Sequence, residues 1–94
     1  MNEYVRIVDG KRLIDYDQLP MSARINFLAD MQGIGEEYAK TYPSASVEEA
    51  EAYADFVLDQ IEGDCEAKFE EDTRAWAREL IVQSILSIDK GDEL

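Results

Sequence analysis

The sequence predicts an α+β fold, mainly α, with an N-terminal β-hairpin followed by a three- to four-helix bundle. Three observations point there. The β-branched run Tyr4-Val5-Arg6-Ile7-Val8 ends in Asp9-Gly10, the dipeptide that tolerates positive φ in a type I′ turn. Ser46-Val47-Glu48-Glu49 has the form of a capping box, in which serine and the glutamate three residues on satisfy each other's backbone donors. Between and beyond these, apolar residues recur every three or four positions, the helical period. Ninety-four residues, 46% of them hydrophobic, are expected to form one domain over 1–94 around a single modest core.

Taken in order, residues 1–19 are expected to form the hairpin, with Lys11-Arg12-Leu13-Ile14 as its returning strand and Leu19-Pro20 ending it. A lone hairpin is only marginally stable, so its apolar side must rest on the helices that follow. Over 20–42 the sequence predicts a broken helix. Met21, Ile25, Leu28 and Met31 share a face with Phe27 beside them, and Gly33 and Gly35 are expected to interrupt it before a short piece over Glu36–Thr41. An acidic helix is predicted over 46–63, with Gly63 as its left-handed stop and Val47, Ala50, Tyr53, Ala54, Val57, Leu58 and Ile61 as its apolar arc. The last segment, 64–91, reads as one long helix from Cys65 to about Asp89, capped by Asp64 and stopped at Lys90 and Gly91. Its first half offers a narrow seam of Cys65, Phe69, Trp76 and Leu80, and Glu70 and Glu71 stand at pairing distance from Arg74.

Charge is the unusual property. The formal net charge is −13, beyond the magnitude of roughly 2–8 that keeps a small domain soluble. It is concentrated: residues 1–40 hold seven acids against five bases, whereas residues 41–94 hold fifteen against four. No base lies between Lys40 and Lys68, a stretch that contains Glu48, Glu49, Glu51, Asp55, Asp59, Glu62, Asp64 and Glu66. On a helix, Glu48, Glu51, Asp55, Asp59 and Glu62 fall within an arc of about 80°, forming a row some 20 Å long. Like charges at i+3 and i+4 cost roughly 0.2–0.5 kcal/mol per pair, so the row is a feature the isolated helix does not want. A solvated surface and adaptation to high salt are the plain accounts of it.

Several function classes are excluded or weakened. Without histidine, the chain has neither the commonest general base nor any histidine-ligated metal site, and no catalytic constellation is recognisable. It is expected not to be an enzyme and to use no cofactor or metal. Gly33-Ile34-Gly35 lacks the third glycine and preceding strand of a dinucleotide fingerprint, and the Asp9-Gly10 and Asp59–Glu70 stretches fail the EF-hand register. Nine scattered bases among twenty-two acids do not make a nucleic-acid-binding or anionic-membrane surface. A lone cysteine, Cys65, cannot form an intrachain disulfide, and no apolar run approaches a membrane span, so a cytoplasmic location is expected.

What remains is binding. A row of carboxylates imitates the phosphates of one DNA strand and can occupy a basic groove without being a substrate. Glu48, Glu51, Asp55, Asp59, Glu62 and Glu66 are the expected partner-binding residues, with Phe56 beside them as an aromatic anchor. In length, acidity and helix-borne carboxylates over Ser46–Asp72 the chain resembles the small acidic DNA-mimic inhibitors that phages deploy against restriction and CRISPR systems. The resemblance implies inhibition of a basic nucleic-acid-binding protein, such as a bacterial defence effector. The alternative is a non-catalytic interaction module that oligomerises through Ile81, Val82, Ile85 and Leu86, where the last helix is apolar almost all round.

Overall fold

A computed structural model describes residues 2–92. After a 3₁₀ turn over Asn2–Tyr4, strands β1 (Val5–Val8) and β2 (Lys11–Ile14) form the expected hairpin, pairing Val8 with Lys11 and Val5 with Ile14. Asp9 and Gly10 take φ of 52° and 77°, the two positive values that a type I′ turn requires. A second 3₁₀ turn, Tyr16–Gln18, is stapled by Arg24, whose guanidinium donates to the carbonyls of Asp17 and Leu19 and lies over the Tyr16 ring.

Helix α1 runs unbroken from Met21 to Thr41, through both glycines. The expected break is absent because α1 packs on the last helix at Gly35. A Cβ there would lie 2.5 Å from Ser84 Cβ and 2.7 Å from the Ile81 carbonyl oxygen, so glycine is what lets the two backbones approach. The buried face is Ala23, Phe27, Met31, Gly35 and Ala39, a single i+4 row. Met21 and Ile25, expected on that face, are 67% and 60% exposed.

Helix α2 (Val47–Cys65) starts at the capping box, with the Ser46 amide donating to Glu49 at 2.9 Å and the Glu49 amide to Ser46 Oγ at 3.1 Å. It does not stop at Gly63. It ends at Glu66, in the left-handed region at φ 50°, because Arg12 of β2 clamps its end, donating to the carbonyls of Cys65 at 2.7 Å and Glu66 at 2.9 Å. A guanidinium at the negative end of a helix satisfies carbonyls that a glycine cap would otherwise serve.

The long final helix is shorter at its start than expected. Residues Lys68–Phe69 form β3, which pairs in parallel with β2 (Leu13 with Lys68, Ile14 with Phe69) and gives a three-stranded sheet in the order β1-β2-β3. Helix α3 then spans Glu71–Asp92, running on through Lys90 and Gly91. Its cap is Glu70, not Asp64: the Glu70 carboxylate accepts from the amides of Asp72 at 3.1 Å and Thr73 at 2.9 Å.

α3 is the central helix, flanked by α1 and α2. Small residues make this packing close: Ala50, Ala54 and Ala77 are fully buried alongside Leu58 and Ile81. At one end Tyr4, Tyr16, Phe27, Phe69 and Trp76 form a ring cluster that seats the sheet on α1 and α3. No helix of the described residues is long and apolar enough to cross a membrane.

Candidate functional site

The carboxylate row lies where α2 faces α3, and it is not uncompensated. Two arginines of α3, one helical turn apart, thread it. Arg78 binds Asp55 with two donors, Nε to Oδ1 at 2.9 Å and a terminal nitrogen to Oδ2 at 3.4 Å, and reaches Glu51 at 3.6 Å. Arg74 binds Asp59 at 2.9 Å and Glu62 at 3.2 Å and comes within 4.0 Å of Asp55. The expected pairing of Arg74 with Glu70 and Glu71 is replaced by these contacts, since Glu70 serves the α3 cap. The hydrogen bond that Arg78 donates to Asp55 holds its guanidinium still more firmly protonated than usual, with the charges of Asp55 and Glu51 adding to it.

The row is thereby divided into parts with different roles. Glu62 belongs to the fold: its side chain is only 15% exposed, and its second oxygen accepts the Phe69 backbone amide at 2.9 Å, tying β3 to α2. Asp55 and Glu51 are half-exposed and shared with Arg78. Asp59 is 70% exposed although paired. Glu48 and Glu66 are exposed, and their carboxylates make no hydrogen bond or ion pair among the described residues. Four carboxylates held by two guanidinium groups leave the row two charges negative, with Glu48 and Glu66 extending it at either end.

Phe56 is 58% exposed. It closes a run of rings on the far side of α2, in which Tyr53 lies 6.4 Å from Phe56 and stacks at 4.1 Å on Tyr38 of α1, itself 4.8 Å from Tyr42. Burial, followed by the nearby Glu49 carboxylate, pushes the Tyr38 phenol above its ordinary value.

The surface expected for oligomerisation is used up inside the chain. Ile81, Val82 and Ile85 are buried and Leu86 is half-buried against the core, so these side chains pack inside the bundle, while Gln83 and Ser87 face outward. Among the described residues no group of three or more histidine, cysteine or acidic side chains is placed to hold a metal ion, and the Cys65 thiol is buried.

Arg74 and Arg78 are the site residues that reading α2 alone misses. Their i+4 spacing matches Asp55 and Asp59, and that complementarity is the available signal. No protein-family model matches the chain, nor does any curated protein or solved structure.

Proposed function

We propose that this chain is a non-catalytic binding protein whose acidic α2 face docks on a basic, nucleic-acid-binding surface of another protein and competes there with nucleic acid. The observation that carries the reading is the ordered row Glu51, Asp55 and Asp59, pinned by Arg74 and Arg78 yet left in negative excess. Pinned carboxylates lose little side-chain freedom on binding, which lowers the entropic cost of presenting a phosphate-like array. A field of one sign also steers encounter with a basic partner and gives steep salt dependence. Bacterial defence effectors, the targets of the DNA mimics that this chain resembles, are the first class to test.

The test is capture from a nuclease-treated bacterial lysate, comparing the wild type with Glu48→Gln, Glu51→Gln, Asp59→Asn and Glu66→Gln combined. Glu62 and Asp55 are left intact because the fold uses them. A nucleic-acid-binding protein held by the wild type, released by moderate salt or by added duplex DNA and missed by the variant is the expected result. Equal capture by both chains, or capture insensitive to salt, would overturn it.

A further inference from the structure

α1 and α2 touch little along their length, and an open groove of 530 Å³ lies along α1 beside Tyr53 of α2, lined on α1 by Asp30, Gly33, Ile34, Glu36, Glu37 and Lys40. It lies on the other side of α2 from the arginine-threaded row, since Tyr53 falls roughly 160° around the helix from the row's centre. Its floor contains a glycine that the fold does not explain. Gly35 is required by its contact with α3, but a Cβ built on Gly33 meets nothing within 4 Å, and Gly33 is in ordinary helical conformation. Glycine in mid-helix weakens the helix. At Gly33 no neighbour among the described residues accounts for that loss, and a side chain there would project into the groove. An open floor is what close approach from outside requires.

The lining selects the occupant. Three carboxylates, Asp30, Glu36 and Glu37, line the groove with one base, Lys40; Asp30 also accepts a hydrogen bond from the Tyr4 hydroxyl, and among the described residues Lys40 has one ion pair, an exposed 4.0 Å contact with Glu37. The Tyr53 ring, backed by Tyr38, offers an aromatic wall of the kind that attracts a guanidinium or ammonium group. We propose that the α1/α2 groove is a second docking site, which receives an arginine- or lysine-bearing peptide segment of a partner protein over Gly33 and against Tyr53. This site is independent of the carboxylate row.

The experiment titrates the full chain with a short fluorescein-labelled peptide of alternating arginine and alanine, read by anisotropy, with an alternating glutamate and alanine peptide as control. Amide and ring NMR shifts locate the contact. Binding of the arginine peptide, shifts at Gly33, Ile34 and Tyr53, and weakening by about tenfold or more in Gly33→Leu are expected, with Gly33→Ala binding close to wild type. Glu36→Lys with Glu37→Lys, both on exposed positions, provides a second groove variant should Gly33→Leu fold poorly. Binding unchanged in these variants, or absent from the wild type, would overturn the site. So would self-association abolished by Gly33→Leu, which would make the occupant a second copy of the chain. Shifts confined to Glu51, Asp55 and Asp59 would sink the groove and leave the mimic reading standing. Loss of lysate capture in the row variant with peptide binding intact would support both.

Discussion

Arg74 of α3 donates to Glu62 of α2 at 3.2 Å, and the other oxygen of the same carboxylate accepts the Phe69 backbone amide, so one half-buried side chain joins two helices and the sheet. Glu62→Leu is expected to destabilise the fold by about 2–3 kcal/mol, because it leaves a part-buried amide without its acceptor and a guanidinium short of a partner. Glu62→Gln keeps an acceptor and should cost about 1 kcal/mol. Urea denaturation of the two variants checks the order, and equal losses would place the effect on charge alone.

The two glycines of α1 should respond in opposite directions. Gly35→Ala forces a methyl group against Ser84 and the Ile81 carbonyl, and a loss of about 1–3 kcal/mol is expected from overpacking. Gly33→Ala meets open space and should gain about 0.5–1 kcal/mol through helix propensity. Thermal unfolding followed by circular dichroism reads both, and a fall at both positions would mean that Gly33 has a packing role.

Arg78 and its acids are partly exposed, so their interaction is modest and open to salt. Arg78→Gln should lower stability by about 0.5–1 kcal/mol at low ionic strength, with the difference narrowing as salt is raised. The same change makes the row more negative. If the mimic reading holds, association should quicken and its salt dependence steepen while stability falls and the unpinned Asp55 and Glu51 also speed dissociation, an opposition visible by comparing denaturation with association and dissociation rates.

Stability should decline toward both pH extremes for identifiable reasons. The amides of Thr73 and Asp72 hold the Glu70 carboxyl below its ordinary value of 4.5, and the Ser46 amide, followed by the Ser46 hydroxyl, does the same for Glu49. A depressed folded value contributes stability that is present above 4.5 and lost as pH falls below it. Burial, then the hydrogen bond to Asp30, raises the Tyr4 phenol above 10.0, so its contribution is present below that pH and lost as pH climbs past it. Glu70→Gln should flatten the acid limb, and Tyr4→Phe the alkaline limb, in denaturation midpoints measured across pH.

What could be read from the sequence was what depends on near neighbours. The Asp9-Gly10 turn and the Ser46–Glu49 capping box involve residues at most three apart, and both stand as expected. Gly63 failed as a stop because the decisive group, Arg12, arrives from 53 residues away to serve the Cys65 carbonyl. Gly35 failed as a break because its reason lies on α3, and the same distance hid the arginines that neutralise half of the carboxylate row. Phe56 was correctly placed on the surface since helical phase alone puts it outside the apolar arc.

Strand β3 is two residues long, yet it joins Lys68 and Phe69 to partners at Leu13 and Ile14, on the far side of two helices in the chain. Closing so long a loop for so few hydrogen bonds is unfavourable until α1 and α2 are already in place. The hairpin itself is local, but its docking on β3 is expected to come late, together with the end of α2 that Arg12 holds. Amide hydrogen exchange should then find the strands and the last turn of α2 opening together as one unit, while the amides where α1 and α2 pack on α3 stay protected.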